Sequence, residues 1–364
     1  MTKPKLFIFT GADQVTGALI SGVSQANILR DVAEVSLILS ERTTLSAAQW
    51  PDTSIILLPL ARASKRFGSI VAYPAALLRS GWHLRRALKQ AGCDRLQIND
   101  FHFAEGAIVR LLGYRGRIVT WVRIDPKRYG TIGRIWLGLA RWSSDELVVV
   151  SKFIAGRLPP DYRSTLIYNA VPPVVRGARS TSRRLLFVGN YIEGKGQDDA
   201  IRAFHRISAQ FPEAELLFHG SDMGLAKNRD YRASLDRLAE QGAGKGRIHI
   251  RDFVEDPGAI YREAYAALNF SHSESFSLTC VEGSAHGLAV LATRCGGPEE
   301  IVADGVTGFL VPVGDIEAMA ARMVDLLGDP ALAAAMGEAG RQLVNQRFGT
   351  DKFRQQLLEI FDLN

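Results

Sequence analysis

The chain has 364 residues, of which 47% are apolar and 23% charged, with three cysteines and a net charge of +6. That balance excludes a disordered or collagenous chain, and the length is that of two domains, each large enough to bury a core. No uncharged apolar run reaches the ~18 residues that span a bilayer, the start shows no signal-peptide pattern, and Cys93, Cys280 and Cys295 lack metal-type spacing, so a reduced, cytoplasmic protein is expected.

The charge is uneven. Residues 1–170 hold 23 Lys and Arg against 12 Asp and Glu, a net +11, while residues 171–364 hold 21 against 26, a net −5. A basic half and an acidic half imply different partners; anionic lipid, nucleic acid or an anionic substrate would each suit the basic one.

In chain order, strand-like runs occur at Leu6–Thr10, Val35–Leu39, Ser54–Leu58, Arg95–Ile98, Arg117–Trp121 and Leu147–Val150. Between them lie two helix-length stretches that mix cations with aromatics. Arg62 to Lys89 includes Arg79, Trp82 and Arg86; Lys127 to Trp142 includes Tyr129, Arg134 and Trp136. Basic helices with tryptophan suit an anionic membrane surface, and they equally suit solvated helices with buried aromatics. Residues 171–184, rich in Pro, Gly, Ser and Arg, read as a linker. A second series follows at Leu185–Val188, Glu215–Phe218, Arg247–Ile250, Ala267–Phe270 and Ala289–Ala292. Apolar runs alternating with helices argue for two parallel sheets wrapped by helices. Ligands bind at the carboxyl ends of such strands, so two facing domains would enclose a cleft. Near the end, Asp351–Phe361 places Phe353, Leu357, Leu358 and Phe361 on one helical face.

Two segments carry chemistry. Gly189 to Gly196 leaves a strand and enters a helix near Gln197, with Lys195 just before it. Glycines admit an anion to the backbone, and a helix start adds partial positive charge. Gly189-xxxx-Gly194-Lys195 is one residue short of a P-loop, because Gly196 stands where Ser or Thr would hold magnesium. A plain glycine turn with a solvated lysine remains an equal reading. The second segment runs from Leu268 to Gly287. A strand ends near Phe270, a polar loop carries Glu274, and a helix starts around Ser277 and stops at Gly287. The N–H groups of Phe276, Ser277 and Leu278 would face a second side of a diphosphate. Glu282 lies within the helix, where it would accept from ribose hydroxyls. By spacing alone, two ordinary surface glutamates are the better reading of Glu274 and Glu282.

These residues resemble family 4 of the retaining glycosyltransferases, which have the GT-B fold of two Rossmann-like doubly wound domains. Four blocks carry the resemblance: Glu274 to Glu282, similar to the E-x7-E motif; Val290 to Asp315; Leu166 to Pro173; and Asp145 to Ile154. The resemblance implies an acceptor domain over residues 1–170, with a helix at about 350–364 returning to it, and a nucleotide-sugar donor domain over residues 171–349. It implies that Glu274 places the donor sugar, that Lys195 neutralises the leaving diphosphate and that Glu282 binds the ribose. Gly11, Gly189, Asn190 and Gly220 would border the donor, and Phe253 and Val254 its base. No cofactor or essential metal is implied; a UDP- or GDP-sugar is the substrate, and no obvious DxD metal motif is present.

The chain departs from the family at three points. Asn190 replaces an arginine, no histidine follows Arg117–Trp121, and the first loop, Gly11 to Gly17, lacks a double glycine. Arg123 and Asp125 are candidate replacements for the histidine. On the acceptor side, Asp100 and His102 form a carboxylate–histidine pair that could steer a hydroxyl; a capping aspartate beside a partly exposed histidine is the favoured reading of the two. The acceptor implied is a glycan or lipid-linked glycan of envelope polysaccharide or lipopolysaccharide assembly. The expected location is cytoplasmic, extending to the inner membrane face, with no nucleic-acid partner. Two alternatives remain: a nucleotide-sugar epimerase on the same fold, or an inactive nucleotide-binding scaffold.

Overall fold

The computed structural model describes residues 3–11, 16–43, 53–61, 67–174, 182–254 and 256–363. Residues 12–15 of the first loop, 62–66 of the first basic stretch and 175–181 of the linker lie outside the described residues.

The chain forms two compact units, one of Met1–Ala170 with Thr350–Asn364, the other of Val171–Gly349. Among the described residues, the first unit has seven strands: β1 (Lys5–Phe9), β2 (Glu34–Ser40), β3 (Ser54–Leu58), β4 (Arg95–Ile98), β5 (Arg117–Val122), β6 (Glu146–Val149) and β7 (Thr165–Leu166). They are ordered β3-β2-β1-β4-β5-β6-β7, every pair parallel. The order reverses between β1 and β4, so the loops after these strands diverge there and open a crevice at the strands' carboxyl ends. Helices α1 (Gly17–Leu29), α2 (Phe67–Ala91), α3 (Glu105–Leu111), α4 (Gly130–Ser143) and α5 (Lys152–Ala155) make the connections. Parallel pairing requires such crossovers, and they leave the central strands buried on both faces.

The second unit repeats the plan. Its strands are β8 (Arg184–Val188), β9 (Glu215–Gly220), β10 (Ile248–Asp252), β11 (Ala266–Asn269), β12 (Ala289–Thr293) and β13 (Gly308–Val311), ordered β10-β9-β8-β11-β12-β13. Its helices are α6 (Gln197–Ile207), α7 (Ala226–Ala239), α8 (Pro257–Glu263), α9 (Leu278–Ala285), α10 (Ile316–Gly328) and α11 (Pro330–Phe348). Phe187, Phe218 and Phe270 meet beneath the reversal between β8 and β11, ring centroids 5.5 and 6.3 Å apart. Each is buried, contributing about 1.5–3 kcal/mol and giving the site a rigid floor.

The final helix, α12 (Thr350–Ile360), belongs to the first unit. Phe353 packs on Trp121 at 6.4 Å, and Arg354 pairs with Asp31 at 2.7 Å. Its buried face is Phe353, Leu357, Ile360 and Phe361; Leu358, expected on that face, is half-exposed because Ile360 occupies the inward position. Four expected strands shift by a residue or more: Leu6–Thr10 to β1, Leu147–Val150 to β6, Arg247–Ile250 to β10 and Ala267–Phe270 to β11. The short strands β7 and β13 were not separately expected.

Candidate active site

The loop between β8 and α6 is held open by named contacts. Gly189 N–H donates to His219 O and Tyr191 N–H to Ser221 O, both at 2.9 Å, fixing the loop to the end of β9. Gly220 permits this approach, since a Cβ there would stand 2.1 Å from Gly189 O. Asn190 presents its carbonyl to Gln197 Nε2 at 3.0 Å, which ties the loop to the start of α6. Gly196 caps that helix at φ +78°, and a Cβ there would meet Phe270 O at 2.1 Å. The absence of Ser or Thr at this P-loop-like position therefore has a steric cause in the neighbouring strand end.

The loop after β11 comes from the other side of the reversal. His272 N–H donates to Gly194 O at 2.9 Å, joining the two loops. Lys195 Nζ lies 2.6 Å from Glu274 Oε1, and the Ser271 hydroxyl donates to the same oxygen at 2.8 Å. Glu274 is further fixed through its backbone: its N–H donates to Cys295 O and its carbonyl accepts from Gly297 N–H. Glu274 is therefore not an ordinary surface glutamate.

Ser277 is the N-cap of α9 at φ +78°, a conformation uncommon outside glycine, and its hydroxyl accepts from Cys280 N–H. Asn269 holds it there, donating to Ser277 Oγ at 2.9 Å and to Thr279 Oγ1 at 2.8 Å. Leu278 opens the helix, so its N–H belongs to the turn whose donors find no acceptor within the helix. Phe276, just before it, is buried against Phe348 at 5.5 Å. A strained cap held by a buried amide fits a site built to present backbone donors.

Glu282 faces the opposite way from a solvated glutamate. Tyr261 Oη donates to its Oε2 at 2.9 Å, and His286 stacks on Tyr261 at 4.8 Å. Burial pushes the Glu282 carboxyl up to about 7, against the lowering effect of Tyr261. Beyond β10, Phe253 is 45% exposed, open enough to carry a planar ring, with Val254 half-buried beside it in sequence.

In the first unit, Gly11 follows β1 at φ +57° against the Phe103 ring. Asp100 follows β4 and is buried, its Oδ1 accepting from Phe101 N–H and Arg123 N–H. Burial pushes its carboxyl up, with His102 and those backbone donors opposing. His102 Nδ1 stands 3.7 Å from Asp100 Oδ2. Arg123, expected to face an acceptor, turns inward: it donates to Asn99 O and Oδ1 and to Asn169 Oδ1, and lies over Trp121 at 4.2 Å. Burial pushes it down to about 10, so it stays cationic at neutral pH. Asp125 caps the turn Pro126–Tyr129 and pairs with Arg157.

The cysteines are free and buried. Burial raises all three thiols, Cys93 and Cys295 to about 11 and Cys280 further, which disfavours the thiolate form. Among the described residues, no three His, Cys, Asp or Glu side chains gather as a metal site. Tyr261, Asn269 and Ser271 were not expected as site residues. Tyr261 reaches Glu282 from another helix, 21 residues away, while Ser271 and Asn269 act within the loop after β11, on Glu274 three residues on and on Ser277 eight residues on.

Residues 174–343 match the family described as glycosyl transferases group 1. The chain is 26% identical over 346 residues to the GDP-mannose-dependent alpha-(1-6)-phosphatidylinositol monomannoside mannosyltransferase of Mycolicibacterium smegmatis, covering 84% of this chain and 86% of that one. It is 26% identical to an uncharacterized glycosyltransferase of Methanocaldococcus jannaschii and 29% identical to the phosphatidyl-myo-inositol mannosyltransferase of M. smegmatis. Those two matches span 63% and 47% of the relatives' lengths, less than two thirds of either. In structure, Anabaena HepE in complex with UDP-glucose superposes with a TM-score of 0.84 at 17% identity, covering 98% of this chain and 99% of that one. The sucrose-phosphate synthase of Thermosynechococcus elongatus gives 0.84 at 18%, covering 99% and 98%. The chain thus has the GT-B fold, and the unit that carries Lys195, Glu274 and Glu282 matches the group 1 glycosyl transferases.

Proposed function

We propose that this chain is a retaining, metal-independent glycosyltransferase that moves a hexose from a UDP- or GDP-sugar to a glycan or lipid-linked glycan acceptor. The observation that carries the reading is the meeting of Lys195 and Glu274 from opposite sides of the β8–β11 reversal, beside the start of α9. A cation and a helix start suit a diphosphate, and a fixed carboxylate next to them suits the hydroxyls of the attached sugar. The names of two similar proteins, one GDP-mannose-dependent and one bound to UDP-glucose, support a nucleotide-sugar donor.

In this reading the acceptor hydroxyl attacks the anomeric carbon on the face from which the diphosphate departs. The bond from that carbon to the phosphate oxygen breaks, and its electron pair leaves with the nucleoside diphosphate. The departing phosphate oxygen takes the acceptor proton, so no protein base is required. Lys195 and the α9 amides stabilise the charge that develops. Glu274 holds the sugar, Glu282 the ribose, and Phe253 and Val254 the base. Asp100 and His102 position the acceptor, while Arg123 braces the loops around them.

Calorimetric titration with UDP, GDP and ADP, without metal, tests the donor site. Selective binding of one nucleotide, weakened in Lys195→Ala and Glu282→Ala, is expected. Binding of none, or binding indifferent to both substitutions, sinks the assignment. Proton NMR of the product made from the preferred sugar nucleotide then reads the anomeric configuration, and an inverted product removes the retaining mechanism.

A further inference from the structure

Glu282 is partly committed before any ribose arrives. A vicinal diol presents two O–H donors, and an ionised carboxylate can accept both when its two oxygens are free. Here Oε2 already accepts from Tyr261 Oη at 2.9 Å. Tyr261 is fully buried, so that hydroxyl is held in place. Oε1 is then the freer oxygen, and the second hydroxyl is better served by another acceptor.

His286 supplies one. It follows α9, and both its backbone N–H and its ring Nδ1 reach the Glu282 carbonyl, at 3.0 and 2.8 Å. A carbonyl only accepts, so Nδ1 carries the proton and Nε2 the lone pair. Burial pushes the imidazole below its ordinary value, against the raising effect of that carbonyl, and the ring is neutral at pH 7. It stacks on Tyr261, centroids 4.8 Å and planes 22° apart, beside the hydroxyl that holds Glu282. Its Nε2 is neither buried nor partnered among the described residues. That nitrogen faces the first turn of α8, where a Cβ on Gly258 would stand 3.8 Å away; the glycine leaves it open. Asp256 and Arg262 flank the same glycine, but Asp256 Oδ1 is taken by Gly258 N–H and a guanidinium only donates. Gly258 lies four residues past Val254, on the side given to the base.

We propose that His286 is a specificity-determining residue of the donor site: its Nε2 accepts from one ribose hydroxyl while Glu282 accepts from the other, so the site takes ribonucleotides in preference to their deoxy forms. The proposal rests on the donor-site reading above and adds to it a residue that no motif marks.

The test is calorimetric titration of the full chain with UDP or GDP, whichever it prefers, and with the 2′-deoxy and 3′-deoxy forms of that nucleotide. Two variants run beside the parent, and thermal melting checks that they fold. His286→Phe keeps a flat ring on Tyr261 and removes the nitrogen; His286→Gln keeps an amide oxygen able to reach the Nε2 position. The parent should bind the ribonucleotide about tenfold more tightly than either deoxy form. In His286→Phe the preference over one deoxy form should vanish, while the preference over the other stays, through Glu282. His286→Gln should restore part of what the phenylalanine loses. Equal binding of ribo and deoxy forms by the parent overturns the proposal, and so does a preference over both deoxy forms that survives in His286→Phe. An equal loss of affinity for all three nucleotides in both variants also overturns it, since His286 would then only support Tyr261. These three outcomes leave the donor-site reading standing; a parent that binds no nucleotide removes that reading and this proposal together.

Discussion

Lys195 Nζ and Glu274 Oε1 stand 2.6 Å apart, and Ser271 donates to the same carboxylate oxygen at 2.8 Å. The lysine that would meet a diphosphate is therefore already engaged by the carboxylate that would meet the sugar. Both groups are half-exposed or less, with 33% and 16% of their side-chain surfaces open. An entering anion must share the ammonium with Glu274 or take it over.

That competition gives the two substitutions different signatures. Lys195→Ala removes the cation, and the dissociation constant for the preferred nucleoside diphosphate should rise about 10- to 100-fold, the range of a charge-assisted contact. Glu274→Gln frees the lysine from its rival, so affinity for the same diphosphate should hold or improve, while turnover falls about 100-fold or more. Calorimetry and initial rates on both variants check this. Parallel losses of affinity would show that the pair acts as one structural unit.

Tyr261 and Glu282 give a pH-dependent prediction. The Glu282 carboxyl sits near 7 because burial raises it, and the Tyr261 hydroxyl holds that rise in check. Tyr261→Phe removes the donor to the ionised form, so the carboxyl moves further up and is neutral at pH 7. Ribose hydroxyls need an acceptor there, and nucleotide affinity should drop about tenfold at pH 7. The deficit should shrink at pH 9, where the carboxyl ionises in both proteins. Titrations at the two pH values decide it; a deficit of the same size at both would assign Tyr261 a purely steric part.

Much of this was legible in the sequence because it is local. Apolar runs between helix-length segments mark strands buried on both faces, and β3 and β4 begin and end where the runs do. Gly287, at φ +75°, follows α9 as its helix-stopping glycine. What stayed hidden depends on contacts across the sheet. Tyr261 lies 21 residues from Glu282 in sequence, and nothing at that spacing announces a hydrogen bond. Arg123 was expected on the acceptor side as a candidate replacement for the histidine that the resemblance implies after Arg117–Trp121. The amides of Asn99 and Asn169, 24 and 46 residues away, instead give it an interior set of acceptors.

Gly194 and Gly196 separate backbone conformation from close approach. Both have positive φ, +86° and +78°, yet a Cβ at Gly194 meets nothing within 4 Å while one at Gly196 meets the Phe270 carbonyl at 2.1 Å. Gly194→Ala should cost about 1 kcal/mol, the strain of the left-handed conformation alone. Gly196→Ala adds a clash with backbone that cannot rotate away, and should cost about 3 kcal/mol or more and weaken nucleotide binding with it. Thermal unfolding of the two variants beside the parent tests the contrast. Equal, small losses would show that the loop after β8 moves freely from the end of β11.

Glu105, in the first unit, makes the last prediction. It is buried at the start of α3, with Ser80 donating to its Oε1 at 2.8 Å, and burial pushes its carboxyl up to about 7 from an ordinary value of 4.5. Below the ordinary value the group is protonated in both the folded and the unfolded chain and costs nothing. Between about 4.5 and 7 the unfolded chain releases the proton while the folded one keeps it, so stability falls as pH rises. Above about 7 the cost levels off, on the order of 3 kcal/mol. Glu105→Gln keeps an oxygen for Ser80 and removes the titration. The variant should therefore melt above the parent at pH 8 and close to it at pH 5. Asp100, also raised by burial, keeps some of the same slope in both proteins. A variant destabilised equally at both pH values would show that the Glu105 carboxyl is held ionised, by a cation that enters around α3 in solution.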